Sequence, residues 1–262
     1  MNPLISIIIP HYKTLEITRL CLRALKKFST LNLEVIVIDN NSNDESLKYL
    51  NQNSWIKLIE NPNAKIGGDG HKQALDIGVK AATGEWIILF HSDTIILKKA
   101  WDLDLMNLIK QYPKAVGASS TIREVNPFAN LHTKIFRFFK DRRLSYHHTT
   151  AQTNNKIMSY CFLLNKAFLL GTDFKFENAT GDVADALYQK HIKNKQEFIL
   201  LGRGFLNNIL WHTSNVSSIL TGQITDSNLI SKYSKKIKKL NSNKIIHNLL
   251  NETNLDNIKK FN

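Results

Sequence analysis

Short apolar runs, each stopped by a polar cluster, alternate along the first half of the chain with stretches of helical spacing. Leu4 to Ile9 is apolar and β-branched and stops at Pro10, which predicts a buried strand feeding the loop Pro10-His11-Tyr12-Lys13. Thr14 stands where an N-cap belongs, ahead of a helix over Leu15–Phe28 in which Leu15, Leu20, Leu22 and Leu25 are among the apolar members. Leu33 to Ile38 is a second buried strand, stopped by the loop Asp39-Asn40-Asn41-Ser42-Asn43-Asp44 and followed by a helix over Glu45–Asn51. A third strand over Trp55–Glu60, a Gly/Asn/Pro loop over Asn61–Gly70 and a helix over His71–Ala82 come next. Trp86 to Phe90 is then a continuous apolar run that ends abruptly in His91, Ser92 and Asp93. A run of that length, with Gly84 before it, reads as a strand buried on both faces.

Strands alternating with helices imply βαβ units, a parallel sheet and right-handed crossovers. A helix over Lys98–Gln111 and a strand over Ala115–Ser120 continue the series. The period breaks in Arg123–Thr153, which mixes basic, aromatic and polar residues. Ile157–Leu164 reads as another strand, Asn178–Lys193 carries Gly181-Asp182-Val183-Ala184-Asp185 at a helix start, and Glu197–Leu201 and Asn208–Trp211 read as short strands, the last ending at His212. From Ser231 the tail is helix-like and rich in Lys. The expected class is α/β, with a mainly parallel central sheet flanked by helices over residues 1–222 and a basic helical C-terminal extension over 223–262.

A length of 262 residues suffices for one large domain with a substantial core. No apolar stretch is long enough to span a bilayer, and Leu4–Ile9 is too short for a secretory signal. Cys21 and Cys161 lie in or beside apolar segments and read as buried thiols of a reducing compartment. A cytoplasmic location follows, with peripheral contact on the inner membrane face. The formal charge of +13 points to an anionic partner: a phosphorylated small molecule, an anionic membrane surface or nucleic acid. Nucleic acid is not expected, because no recognisable binding motif accompanies the charge. Two basic stretches carry the membrane expectation. Lys134-Ile135-Phe136-Arg137-Phe138-Phe139-Lys140 suits an interfacial helix or an acceptor loop, and Lys232, Lys235, Lys236, Lys238 and Lys239 suit a polybasic patch.

If the first, second and Trp86 strands are parallel, their carboxyl ends share one edge. That edge carries Tyr12, Asp39, His91, Asp93 and backbone amides at helix starts. Ligands of open α/β sheets sit there. A carboxylate can accept from a base N–H, an aromatic ring can stack on the base, and Asp93 can hold a divalent metal between phosphates. The competing account of Asp93 is a cap, with Thr94, for the helix that follows.

Ser6-Ile7-Ile8-Ile9-Pro10-His11-Tyr12, Glu34-Val35-Ile36-Val37-Ile38-Asp39-Asn40-Asn41-Ser42-Asn43-Asp44 and Ala82-Thr83-Gly84-Glu85-Trp86-Ile87-Ile88-Leu89-Phe90-His91-Ser92-Asp93 together resemble the family 2 glycosyltransferases of GT-A fold. The resemblance covers the first half of the chain in order and spacing. It implies nucleobase contacts at Pro10, Tyr12 and Asp39, and a donor diphosphate held through a divalent metal at the family's Asp-x-Asp motif, which reads His91-Ser92-Asp93 here. His91 replaces the first acid while Asp93, the metal-ligating position, is kept. Imidazole suits Mn better than Mg. The family's Ala-Arg-Asn pattern is missing from Gly67-Gly68-Asp69-Gly70-His71-Lys72, where His71 or Lys72 is the candidate phosphate contact. The resemblance further implies a general base in Gly181–Asp185, Asp182 first and Asp185 as the alternative, and a metal-completing His at His212. The expected activity is inverting transfer of a sugar from a nucleotide donor, a UDP-sugar first, to a hydroxyl of a glycan or lipid-linked acceptor. A sugar-nucleotide-binding or scaffolding protein without turnover is the alternative that His91 raises.

Overall fold

The computed structural model describes residues 5–121, 149–150, 154, 156–213, 216–222, 225–228, 230–231, 234 and 243–256. Both basic stretches singled out above, 134–140 and 232–239, lie outside them apart from residue 234. The chain forms β1 (Ile5–His11), α1 (Leu15–Phe28), β2 (Leu33–Asp39), α2 (Glu45–Gln52), β3 (Lys57–Glu60), α3 (Gly68–Ala81), β4 (Trp86–Phe90), β5 (Thr94–Ile96), α4 (Trp101–Lys110) and β6 (Ala115–Ser119). Then follow β7 (Thr149–Thr150), β8 (Cys161–Asn165), β9 (Glu197–Leu200) and β10 (Leu210–His212). Short helices interleave with this second set, among them Val183–Leu187, which continues as a π turn over Tyr188–Ile192.

Eight strands make one sheet in the order β3-β2-β1-β4-β8-β6-β9-β7. β3, β2, β1 and β4 are mutually parallel, as are β6 and β9, while β8 runs antiparallel between β4 and β6. The expected mixed, mainly parallel sheet flanked by helices is what forms. Strand side chains alternate faces, and both faces of the central strands are covered. Ile5, Ile7, Ile9, Trp86, Ile88 and Phe90 pack with α1 and α4 on one side. Ile8, Ile87 and Leu89 pack with α3 and the Val183–Ile192 helix on the other. That double burial explains why these strands read as continuous apolar runs. Gly78 lets α3 lie directly on β1, since a Cβ there would stand 2.3 Å from the Ile8 Cγ2 methyl. Both cysteines are buried and unpaired with each other.

Several boundaries differ from the sequence expectation, for local reasons. α3 begins at Gly68, ahead of the expected His71, because Gly67 takes φ +66 and turns the chain early. Thr14 occupies the N-cap position of α1 without capping it; its hydroxyl bonds Thr18 Oγ1 at 3.2 Å. β3 starts two residues later than Trp55, and β8 starts at Cys161, not at Ile157. Residues expected as a strand from Asn208 belong to a helix, Arg203–Ile209, until Leu210. Short apolar runs do not distinguish the two states by periodicity. Residues 243–256 dock on α1: Ile246 and Leu249 are buried in the main core, and Arg23 pairs with Asp256 and donates to the Leu249 carbonyl at 2.9 Å. No helix among the described residues is long and apolar enough to cross a membrane.

Candidate active site

β2, β1 and β4 are neighbours, so the loops after them share one edge of the sheet. That edge opens into a cleft of about 400 Å³. Its walls include Pro10, Tyr12, His71, His91, Ser92, Asp93 and Asp182, all singled out from sequence, together with Lys72. Asp39, Asp185 and His212 are not among the lining residues. Asp39 is buried at the end of β2, where it accepts hydrogen bonds from the Ser42 N–H at 3.0 Å and from the Ser42 hydroxyl. Asp185 accepts from the Ile157 N–H at 3.2 Å and from Gln189 Nε2 at 3.3 Å. Asp182 therefore reaches the cleft and Asp185 turns to the scaffold.

A two-strand ribbon explains how the distant His212 meets Asp93. β10 pairs antiparallel with β5, setting His212 opposite Thr94. His212 Nε2 lies 3.5 Å from Asp93 Oδ1, and the Thr213 hydroxyl donates to Asp93 Oδ2 at 3.2 Å. His91 Nδ1 is 4.0 Å from Asp93 Oδ1. One ligand atom from each of His91, Asp93 and His212 lies within 4.8 Å of the others, which is the only such cluster of three among the described residues. Two imidazoles and one carboxylate form a donor set that suits a first-row divalent transition metal. The three residues thus fit a metal of that kind. Tyr160 stacks on His212, with ring centroids 4.2 Å apart and planes 14° from parallel.

The electrostatics favour a carboxylate at Asp93 beside neutral His91 and His71 rings. Burial works to raise the Asp93 carboxyl, but His212, His91 and the Thr213 hydroxyl outweigh it and bring it down to about 2. Burial lowers His91 to about 4, helped by His212 and opposed by Asp93. Burial likewise lowers His71 to about 3, helped by His91 and opposed by Asp182 and Asp93. Asp182 is pushed above the ordinary carboxylate range by burial, against hydrogen bonds from the Ala184 N–H, the Ser159 hydroxyl and the Asp185 N–H. A raised carboxylate at the cleft wall has the character of a proton acceptor.

His11 ends β1 at the cleft with its ring sealed between Thr18 at 3.0 Å and Ser46 at 2.8 Å, and burial lowers it to about 4. Unfolded, these rings bind protons near pH 6.5; folded, they do so only near pH 4 or below. The unfolded state therefore gains protons first, and stability falls as the pH drops from 6.5 towards 4. Each such ring contributes at most about 1.4 kcal/mol per pH unit, and less where its side chain is partly open to solvent, as at His91. Urea denaturation midpoints at pH 7, 6 and 5 check this; a flat series would contradict it.

Ser159, Tyr160 and Thr213 were invisible in the sequence. β8 is antiparallel to β4, with Cys161 opposite Phe90. The residues before β8 therefore lie beside those after β4, and the His91 N–H donates to the Tyr160 carbonyl at 3.2 Å. The pairing direction of β8 would have announced Ser159 and Tyr160, and the β5–β10 pairing Thr213.

A profile described as Glycosyl transferase family 2 matches residues 6–169. Glycosyltransferase GlyG of Streptococcus pneumoniae serotype 4 is 29% identical over 100 residues, which is 37% of this chain and 32% of that protein. TarS of S. aureus superposes on 85% of this chain and 38% of its own, with a TM-score of 0.58 at 17% identity. Its 1-349 fragment has been solved with UDP-GlcNAc and with UDP. The mannosyltransferase PcManGT from Pyrobaculum calidifontis, solved with GDP-Man and Mn2+, covers 71% of this chain and 50% of its own, with a TM-score of 0.50 at 15% identity. The chain spans about a third of the length of GlyG and of TarS. With the matched profile running over more than half its length and the sheet of its GT-A neighbours, the chain belongs to glycosyl transferase family 2.

Proposed function

We propose that this chain transfers a sugar from a nucleoside-diphosphate-sugar, a UDP-sugar foremost, to a hydroxyl acceptor, with inversion and with a divalent metal. The observation that carries this reading is the cleft itself. It gathers Tyr12 and Pro10 from the end of β1, Asp93 and His91 from the end of β4, and the carboxylate of Asp182. Tyr12 offers a ring for the nucleobase, while Lys72 and the first turn of α3 supply positive charge for phosphate. Asp39 supports the base-binding rim from behind, through Ser42, whose hydroxyl also accepts the Lys13 N–H at 3.0 Å.

Asp93, His91 and His212 would hold the metal. When bound, it neutralises charge that develops on the departing diphosphate. Asp182 takes the proton of the acceptor hydroxyl as the oxygen forms its bond to the anomeric carbon. The bond from that carbon to the diphosphate oxygen breaks on the opposite face, and its electron pair leaves with the nucleotide. His71 and Lys72 stand beside that charge. The acceptor is a glycan or a lipid-linked glycan, and the basic character of the chain suits peripheral contact with an anionic membrane.

The test is release of nucleoside diphosphate from a panel of UDP-, GDP- and TDP-sugars, with Mn2+, with Mg2+ and with chelator. Mn2+-dependent release from a UDP-sugar is expected. Tight nucleotide binding without release from any donor would favour the binding-protein alternative, which the exchange of an acid for His91 keeps in view.

A further inference from the structure

Ser159 is buried just before β8 and makes hydrogen bonds on two sides. Its hydroxyl donates to Asp182 Oδ2 at 3.1 Å and lies 3.0 Å from His91 Nε2. A hydroxyl has one hydrogen. With that hydrogen aimed at a carboxylate, which only accepts, the Ser159 oxygen must accept from His91. Nε2 therefore carries the ring hydrogen, and Nδ1 keeps its lone pair. Nδ1 is the nitrogen on the Asp93 side, 4.0 Å from Oδ1. A metal ligand needs that lone pair, and a metal-bound imidazole is normally held by a hydrogen bond from its other nitrogen.

We propose that Ser159 is a positioning residue that sets His91 as its Nε2–H tautomer, presents Nδ1 to Asp93 and His212, and with the same hydroxyl orients Asp182. Its role for metal and base rests on the functional reading above; the tautomer does not. One hydroxyl thereby joins the two halves of the site. While Nδ1 is engaged by a cation, Nε2 must keep its hydrogen, so the Ser159 hydrogen stays committed to Asp182. Metal binding and orientation of the base then support each other. Without the hydroxyl, the group facing His91 that most favours a ring hydrogen is the Asp93 carboxylate. It draws the hydrogen to Nδ1, where it covers the lone pair.

The test uses the whole chain, labelled with 15N-histidine. Proton–nitrogen correlation spectra of the metal-free protein near neutral pH read each ring's tautomer, and a His91→Gln variant assigns the His91 signals. The expected result is Nε2–H for His91 in the native chain, a shift towards Nδ1–H in Ser159→Ala, and retention of Nε2–H in Ser159→Thr. Mn2+ titrated by electron paramagnetic resonance should bind Ser159→Ala on the order of 10- to 100-fold more weakly, with Ser159→Thr close to native. Comparable melting temperatures for the three chains separate this from loss of fold. Nδ1–H at His91 in the native chain, or an Ser159→Ala variant with unchanged tautomer and unchanged Mn2+ affinity, would overturn the proposal. A native chain with the Nε2–H tautomer but no Mn2+ affinity supports the tautomer assignment and counts against the metal reading instead.

Discussion

Asp182→Asn is expected to lower kcat for sugar transfer by about 10²- to 10⁴-fold, the usual worth of a positioned general base, while UDP affinity measured without metal stays within a few-fold of native. The reason is steric economy. Asparagine keeps the shape of the side chain, and its amide oxygen can still accept from the Ala184 N–H, as Asp182 Oδ1 does at 2.9 Å. The helix that starts at Val183 remains capped. What disappears is the group that burial has made more basic than an ordinary carboxylate. The measurement is steady-state transfer alongside calorimetric titration of UDP. Native kcat in this variant would remove Asp182 from the mechanism. The parallel change Asp185→Asn should leave transfer nearly intact, because that carboxylate is turned to Ile157 and Gln189.

Asp93→Ala should act on a different step. It removes the one anion among His91, His212 and Thr213. Loss of a direct ligand should weaken Mn2+ by more than the roughly 10- to 100-fold that outer contacts typically contribute. UDP binding should fall with it and lose its dependence on Mn2+. Titration of UDP with and without Mn2+ reads both effects. A variant that still binds UDP more tightly when Mn2+ is added would place the cation elsewhere. The two substitutions thus separate along the reaction: one spares metal-free nucleotide binding and stops transfer, the other removes the Mn2+-dependent part of binding.

The centre of the parallel half of the sheet was legible because β1, β4 and most of β2 are buried on both faces. Leu4–Ile9, Leu33–Ile38 and Trp86–Phe90 had to be nearly pure apolar runs, and their polar ends then marked the edge that carries the cleft. Tyr12, His91 and Asp93 were legible for the same reason: each follows on a strand whose direction was expected, whereas His71, inside α3, came from comparing its loop with the family's Ala-Arg-Asn pattern. The chain was less readable where an antiparallel element entered. Ser159 and Tyr160 precede β8, and nothing in their spacing shows that they sit beside His91. The β5–β10 ribbon is only three residues on each side, too short for a pattern, so His212 came from a family resemblance and Thr213 was not seen. Asp39 shows a further limit. A carboxylate at a strand end can face the ligand or its own loop, and here Ser42 occupies it. That distinction lives in two torsion angles, not in residue type.

The most direct measurement is a crystal structure of the full chain with UDP and Mn2+, phased so that the anomalous signal of manganese locates the ion. The expected result is a single strong peak coordinated by Asp93 and flanked by His91 and His212, with the diphosphate against it and the uracil beside Tyr12. Manganese bound away from Asp93, or UDP seated outside the cleft at the carboxyl ends of β1, β2 and β4, would contradict the assignment of this edge as the donor site.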